Sequence, residues 1–163
     1  MIIVADASPL ISLAIINKLH LLDEIFEEII VPFSVYTEII KTDKKFSSYL
    51  QEWSKPLIKK CKNIQAFNAY QISLGKGESE AIVLSKEFQN SILLVDDKKA
   101  RTVSKLENHK VIGTVGILLL AKERALVSEI KSLLIQLEEN YIHLSKSLIE
   151  KALSISDELS DDV

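Results

Sequence analysis

One residue type that builds covalent frameworks is almost absent from this chain. Its 163 residues include a single cysteine, Cys61. One cysteine excludes an intramolecular disulfide framework and a cysteine-rich zinc site. A single thiol is also compatible with a reducing compartment, so we expect a cytoplasmic protein.

Long hydrophobic runs are absent as well. The longest apolar stretch, VGILLLA at residues 115–121, is far shorter than the roughly 20 residues that a transmembrane helix needs. At the N-terminus no basic segment precedes the apolar residues, and Asp6 interrupts them after a few positions. We therefore expect a soluble protein without a signal peptide.

The sequence also lacks an excess of positive charge. The formal net charge is −3 and the isoelectric point is near 5.7, which argues against a broad basic surface for duplex DNA. A nucleic-acid partner is still compatible with this charge, because carboxylates gathered around a divalent metal no longer repel phosphates. Local lysine and arginine groups would supply the remaining contacts.

The composition is that of one globular domain. Hydrophobic residues make up 47% of the chain and charged residues 26%, which is enough apolar surface for a proper core. No internal repeat or linker divides the sequence. We expect a single domain over residues 1–156, followed by a frayed acidic tail over residues 157–163.

Short β-branched runs alternate with helical patterns along the chain. The predicted strands are IIVA, EEIIVP, SILLVDD and KVIG, with PLIKKC as a further candidate. Helical patterns follow in DASPLISLAIINKLHLL, SVYTEIIK, GKGESEAIVLSKEF, KKARTVSKLENH, TVGILLLAKER and two C-terminal segments. This alternation predicts an α/β fold with a parallel sheet covered by helices on both faces.

Helix starts are predicted from local capping signals. Ser8 is a candidate N-cap, with Pro9 at the first helical position. Thr114 is a candidate N-cap for the helix that follows the last strand. Ser147 and Glu150 have the spacing of a capping box in the final helix.

Six carboxylates are expected near one edge of the sheet. Asp6, Asp96 and Asp97 follow predicted strands directly, and Glu38, Glu78 and Glu80 lie in the early turns of helices. Ligand sites in open α/β sheets form at the carboxyl ends of the strands. A cluster made only of oxygen ligands favours Mg²⁺ or Mn²⁺ over zinc. Such a metal site is suited to the hydrolysis of phosphodiesters.

Each of these acids also has an ordinary structural interpretation. Asp6 is suited to a helix cap, and one of Asp96 and Asp97 is suited to capping the next helix. The glutamates are typical of solvated helix faces or of first turns, where they complement the helix dipole. Only their combination favours a functional site.

Three further residues are candidates for substrate contacts. Lys98 and Arg101 would contact the phosphates of a nucleic acid, although a solvated helix face is an equally good interpretation. Thr114 is best interpreted as the N-cap of its helix. The N-terminus of that helix could also bind a phosphate.

Five motifs in order give the chain a family resemblance. VADAS, VYTEI, GKGESEAI, LLVDDKKAR and VIGTVGILLLAK resemble the PIN-domain proteins, and more narrowly a PIN-like branch near the VapC toxins. The resemblance covers about residues 1–125, and LSKSLIEKAL near the C-terminus is similar to the same branch. Its ordered combination is more specific than any single motif.

The resemblance implies a three-layer α/β/α fold and a metal-dependent ribonuclease that uses Mg²⁺ or Mn²⁺. By motif, Asp6, Glu38, Glu78 and Asp97 would be the catalytic metal ligands, with Asp96 beside the last of them. The toxins often have aspartate where this chain has Glu78, and the choice between Glu78 and Glu80 stays open. Ser8 matches a small hydroxyl position near the first aspartate. The implied partners are single-stranded or structured RNA and an antitoxin protein.

Other functions remain compatible with the sequence. A PIN-like module that binds RNA or a protein without cutting is the main alternative. A phosphorelay receiver would place its acidic pair after the first strand, whereas here the pair comes late. The apolar residues Leu118, Leu119 and Leu120 leave more than one face to cover, which makes a homodimer plausible.

Overall fold

The computed structural model describes residues 1–43 and 46–160, in which five strands and ten α-helices alternate. The strands are β1 (Ile2–Ala5), β2 (Glu28–Pro32), β3 (Ile58–Lys59), β4 (Ile92–Leu94) and β5 (Lys110–Ile112). The helices are α1 (Ala7–Ile15), α2 (His20–Ile25), α3 (Phe33–Ile40), α4 (Ser47–Ser54), α5 (Ile64–Tyr70), α6 (Lys76–Glu87), α7 (Lys98–Leu106), α8 (Thr114–Glu123), α9 (Lys131–Glu139) and α10 (Lys146–Ile155). A short 3₁₀ helix, Lys55–Leu57, precedes β3.

The five strands form one parallel sheet in the order β3-β2-β1-β4-β5. At the centre, Val4 of β1 pairs with Ile30 on one side and with Leu93 on the other. The predicted α/β architecture is confirmed. Strand order reverses direction between β1 and β4, which is where sites form in open α/β sheets.

Both faces of the sheet are buried, which explains the unbroken apolar runs of the strands. On β1, Ile3 and Ala5 face a core shared with α1, α8 and α9, whereas Val4 faces a second core shared with α6 and α7. Successive strand residues point to opposite faces, so a short run such as IIVA contributes to both cores. The result is the three-layer α/β/α arrangement that the resemblance implies.

The first helix begins earlier and ends sooner than predicted. Asp6, not Ser8, is the N-cap of α1, and Ser8 lies inside the helix. Asn17 has φ 54°, a left-handed conformation that asparagine tolerates well. That residue divides the predicted single helix into α1 and α2.

Two other predicted caps are displaced by one or two residues. Gly113 is the N-cap of α8 and Thr114 is its first residue. Ser145 caps α10 by accepting a hydrogen bond from the Leu148 backbone N–H at 3.2 Å. Ser147 therefore lies in the first turn of α10, and the predicted capping box does not form its start.

The C-terminal segment contacts the rest of the domain at Glu158. This side chain accepts hydrogen bonds from the backbone N–H groups of Ile130 and Lys131, and it pairs with Lys122 at 2.5 Å. The tail that we expected to fray from residue 157 is thus anchored at Glu158. Residues 161–163 of that tail lie outside the described residues.

The leucine run of α8 is used inside the domain. Leu118 is fully buried, and Leu119 and Leu120 pack against the same core while remaining partly exposed. The homodimer stays a prediction. Within the described part of the chain, no helix is long and apolar enough to cross a membrane.

Candidate metal centre

The carboxyl end of β1 carries a buried carboxylate, Asp6, which is 4% exposed. Its backbone N–H donates to the Leu94 carbonyl oxygen at 2.9 Å, so the residue is fixed between β1 and β4. Burial, and then the charges of Glu78, Glu38 and Asp96, raise the pKa of Asp6 from 3.8 to about 7, against a hydrogen bond from its neighbour that lowers it. A nearby cation would favour the ionised form.

Glu38 approaches the same place from α3. A Cβ atom built on Gly77 would lie 3.2 Å from Glu38 Oε2 and 3.3 Å from Asp6 Oδ1. Partial burial, followed by the charge of Glu78, raises the pKa of Glu38, and Lys41 lowers it. Gly77 thus lets two carboxylate oxygens reach one point, because any side chain there would occupy that space.

Glu78 borders this point from the first turn of α6. Its Oε2 atom accepts a hydrogen bond from the Gly75 backbone N–H at 3.0 Å. Its charge contributes to the raised pKa values of both Asp6 and Glu38. Glu78 is therefore within electrostatic reach of the other two acids.

Glu80 has a different environment although it is only two residues away. It is 4% exposed and accepts hydrogen bonds from the backbone N–H groups of Ser34 at 2.6 Å and Cys61 at 3.1 Å. These bonds join α6 to the start of α3 and to the segment after β3. The charge of Glu78 thus reaches Asp6, whereas Glu80 joins three chain segments through its hydrogen bonds.

Asp96 follows β4 and is held by the start of α8. Its two carboxylate oxygens accept hydrogen bonds from the Thr114 backbone N–H at 2.7 Å and from the Thr114 hydroxyl at 2.5 Å. A Cβ atom on Gly113 would lie 2.8 Å from Asp96 Oδ1. The charge of Asp96 also raises the pKa of Asp6, so Thr114 holds a carboxylate whose charge reaches that buried residue.

Asp97 caps α7. Its Oδ1 atom accepts a hydrogen bond from the Ala100 backbone N–H at 2.8 Å, which confirms the cap interpretation for one member of the pair. Arg101 donates to the Val95 carbonyl oxygen at 3.0 Å. The ligand role predicted for Asp97 stays a prediction, and of the two aspartates Asp96 is the one whose charge reaches Asp6.

The remaining predicted contact residues surround this edge of the sheet. Ser8 is exposed in the first turn of α1 and lines a cavity that also includes Asp96 and Thr114. Lys98, the first residue of α7, lines a second cavity that includes Asp96 and Arg101. All four predicted contact residues, Ser8, Lys98, Arg101 and Thr114, therefore line cavities that include the same aspartate.

Sequence reasoning missed the two glycines that shape this edge and two lysines beside it. Gly77 and Gly113 leave room for carboxylates, yet nothing in a sequence marks which glycine faces a side chain. Lys105 comes seven residues after Lys98, so both lie on one face of the helix, and this spacing could have been recognised in the sequence. Lys151 comes from α10, and its proximity depends on tertiary packing.

The donor set fits a hard divalent cation. Among residues 1–43 and 46–160, no three histidine, cysteine or acidic side chains stand close enough to hold one metal ion. Asp6 Oδ1 and Glu38 Oε2 nevertheless both lie within 3.3 Å of the position that a Cβ atom on Gly77 would take. Mg²⁺ typically binds through one or two carboxylates and keeps several waters, so two neighbouring carboxylates are the type of ligand set that it uses.

One of three comparisons with known proteins finds a match. A protein-family model described as a PIN domain matches residues 2–158. No curated protein and no solved structure matches the chain. PIN domains form a nuclease-type family whose members generally use divalent metals. With almost its whole length matched, the chain belongs to the PIN-domain family.

Proposed function

We propose that this PIN domain is a Mg²⁺- or Mn²⁺-dependent endoribonuclease. The observation that carries the proposal is the convergence of Asp6 Oδ1 and Glu38 Oε2 within 3.3 Å of one point beside Gly77. Carboxylates that face each other in a buried site repel unless a cation or a proton intervenes. The raised pKa of Asp6 supports the same conclusion.

The proposed ligands are Asp6, Glu38 and Glu78, with Asp96 and Asp97 completing the acidic edge. A bound metal there would supply an activated water and would stabilise the leaving oxygen of the scissile phosphodiester. The chain itself orients the site: Thr114 fixes the Asp96 carboxylate through two hydrogen bonds. No protein nucleophile is required by this chemistry.

The test is cleavage of a mixed pool of single-stranded RNA by purified protein with Mg²⁺, Mn²⁺ or EDTA. Asp6→Asn is expected to lower the rate by about 100-fold or more, because it removes a negative charge that the metal requires. Asp157→Asn makes the same chemical change at an exposed residue after α10 and should leave the rate unchanged. Equal cleavage by the two variants would reject the proposal.

A non-catalytic binding module is the second candidate. It is favoured by the finding that no three ligand side chains converge among the described residues, which would weaken metal binding. Such a module would retain RNA in EDTA and would not cut it in either metal. Retention without cutting by folded protein would therefore replace the nuclease proposal with this one.

The VapC-like order of motifs supports a narrower role as the toxin of a toxin–antitoxin pair. Expression in a bacterial host is then expected to arrest growth, and Asp6→Asn should relieve the arrest because it removes cleavage. An antitoxin would be identified as a protein that restores growth and binds the purified domain. Growth arrest that persists with Asp6→Asn would contradict a nuclease-based toxin.

A further inference from the structure

A polar cluster, here called the histidine joint, lies at the amino ends of the parallel strands β4 and β5, at the opposite end of the sheet from the acidic edge. It consists of Ser85 near the end of α6, Ser91 just before β4 and His109 just before β5. The Ser85 hydroxyl lies 3.0 Å from the Ser91 hydroxyl and 3.0 Å from His109 Nδ1. Both serines are buried. One buried hydroxyl therefore connects three segments of the chain.

The hydrogen bonds of the joint determine which nitrogen of the His109 ring carries the proton. Ser91 Oγ donates its only proton to the Ser85 carbonyl oxygen at 3.0 Å. The Ser85 hydroxyl must therefore donate to Ser91 Oγ, because a hydroxyl has one proton. Neither serine has a proton left for His109, so Nδ1 of the ring is the donor to Ser85 Oγ. A neutral ring with its proton on Nδ1 has a bare lone pair at Nε2.

The second ring nitrogen of His109 is enclosed, although the residue as a whole is only partly buried. Nε2 is buried and has no hydrogen-bond partner among residues 1–43 and 46–160. An unpartnered lone pair costs less to bury than the N–H of a charged ring without an acceptor. The joint thus accommodates the neutral ring and provides no acceptor for the protonated one.

The charged groups that face His109 come from α6 and α7. Lys86 follows Ser85 on α6, and its Nζ atom donates to Glu107 Oε2 at 2.7 Å and to the Tyr70 hydroxyl at 2.7 Å. Burial, and then the charge of Lys86, lower the pKa of His109, whereas the charge of Glu107 raises it. The acid that faces the ring is therefore already paired with a lysine.

We propose that the histidine joint is acid-sensitive and that it fastens α6 to the starts of β4 and β5 only while the His109 ring is neutral. A proton on Nε2 needs an acceptor, and water outside the domain is one. The ring would therefore move out of the joint on protonation, and the Ser85 hydroxyl would lose its donor. This proposal does not depend on metal binding or on cleavage, because the joint and the metal centre lie at opposite ends of the sheet.

The sign of the expected pH dependence follows from the neutral ring. The unfolded chain takes up a proton at His109 near the ordinary histidine pKa of about 6.5, whereas the lowered pKa of the folded state disfavours that proton. The contribution of the joint to the free energy of unfolding is therefore present above about pH 6.5 and is lost as pH falls. Asp6 acts in the opposite direction, so variants are compared that all retain Asp6.

Nitrogen NMR of the histidine rings tests the assigned proton in the wild-type protein. At about pH 8, well above the ordinary pKa of histidine, the His109 ring should carry its proton on Nδ1 and none on Nε2. Its signals are identified by their absence from the spectrum of His109→Asn. A proton on Nε2 would overturn the proposal, and so would a His109 pKa at or above about 6.5.

Urea unfolding in EDTA tests the effect of the joint on stability. The side-chain amide of His109→Asn can donate to Ser85 Oγ but cannot titrate. Between about pH 7.5 and about pH 5.5, the unfolding equilibrium constant of wild type should rise by as much as about tenfold relative to this variant, because only the wild-type residue takes up a proton on unfolding. A ratio that does not change with pH would overturn the proposal.

A matched control makes the same substitution at a histidine outside the joint. His143 is exposed in the segment before α10, and His143→Asn should keep the pH dependence of wild type. Equal effects of the two substitutions would overturn the assignment to His109.

Two charge variants test the surroundings of the ring. Lys86→Gln removes a positive charge that disfavours the protonated ring, so the pH dependence of stability should become weaker than in wild type. Glu107→Gln removes a negative charge that favours protonation, and the pH dependence should become steeper. A shift in the same direction in both variants would contradict the electrostatic environment of the joint and overturn the proposal.

Discussion

The acidic edge of the sheet has two halves, each built around a glycine, and they differ in what their carboxylates face. At Gly77, one oxygen of Asp6 and one of Glu38 lie within 3.3 Å of the position that a Cβ atom would take. At Gly113, Asp96 accepts hydrogen bonds from the Thr114 backbone N–H and hydroxyl. An Arg101 nitrogen lies 2.9 Å from the position that a Cβ atom on Gly113 would take. One half is poor in hydrogen-bond donors and the other is rich in them.

This difference separates two uses of the same chemical group. Carboxylates that accept hydrogen bonds are held in place, and their charge is compensated within the protein. Carboxylates that face other carboxylates are left with a repulsion that a cation from solution can relieve. The donor-poor half is therefore the better candidate for metal binding, and the donor-rich half supports it.

The largest expected effect concerns the free energy of unfolding of the metal-free protein, which depends on Asp6 in the donor-poor half. Because the pKa of Asp6 is raised to about 7 in the folded state, the folded protein keeps a proton that the unfolded chain releases. The contribution of Asp6 to the free energy of unfolding therefore falls as pH rises from about 4, and it levels off above about 7. The free energy of unfolding of Asp6→Asn, relative to wild type, should rise by an amount on the order of 4 kcal/mol between these limits.

Urea denaturation in EDTA at several pH values measures this difference. Saturating Mg²⁺ at about pH 8 should then stabilise wild type and leave Asp6→Asn unchanged, because only the ionised pair binds the cation. A stability difference that is flat with pH would contradict the environment described for Asp6.

The second effect contrasts the two glutamates of α6. Glu80→Ala leaves the buried N–H groups of Ser34 and Cys61 without their acceptor, so it should destabilise the fold by about 3 kcal/mol. Glu78→Ala removes only the bond from Gly75 and should cost about 1 kcal/mol or less. Thermal and urea unfolding measure both. Equal losses of stability would contradict a structural role for Glu80 and a role in the site for Glu78.

The third prediction uses the two glycines as a matched pair. Gly77→Ala places a methyl group 3.2 Å from Glu38 Oε2 and Val35 Cγ2. The rate of cleavage should fall about tenfold while the fold is retained. The methyl group displaces the Glu38 carboxylate, which is then misplaced for binding the cation. Gly113→Ala places a methyl group 2.8 Å from Asp96 Oδ1 and 2.9 Å from an Arg101 nitrogen. These side chains lie outside the Asp6 and Glu38 pair, so the change should reduce cleavage less. A larger loss at Gly113 would reverse the comparison.

The smallest effect is expected at Asp97. Removing its hydrogen bond to the Ala100 N–H by Asp97→Ala should cost about 1 kcal/mol of stability. Cleavage rates decide whether Asp97 is a ligand as well. A cap alone predicts a rate within about twofold of wild type at low temperature, whereas a ligand predicts a loss of about 100-fold.

Much of the fold could be predicted because buried parallel strands have an unambiguous pattern. Runs such as Ile2–Ala5 and Ile92–Leu94 are apolar at every position, which requires helices on both faces of the sheet. The region between Lys41 and Tyr70 was harder. Its two-residue strand β3, predicted within PLIKKC, depends on pairing with β2 at the edge of the sheet, and local sequence carries little of that information.

The site could be predicted as a set of acids but not as a geometry. Residues two apart on a helix point about 200° away from each other, so Glu78 and Glu80 must have different partners. Which of them faces Asp6 depends on how α6 packs against α3. The same holds for Asp96 and Asp97, since the turn after β4 decides which carboxylate meets Thr114.

Helix α10 has a consequence for the protein during its synthesis. The proposed metal ligands all lie before residue 98, whereas α10, which contacts α8, begins at Lys146. Translation proceeds from the N-terminus, so every proposed ligand is made before this helix. A shortened chain that ended before residue 146 would therefore contain the whole proposed ligand set and would lack the α10 side of the core, to which Ala152 contributes.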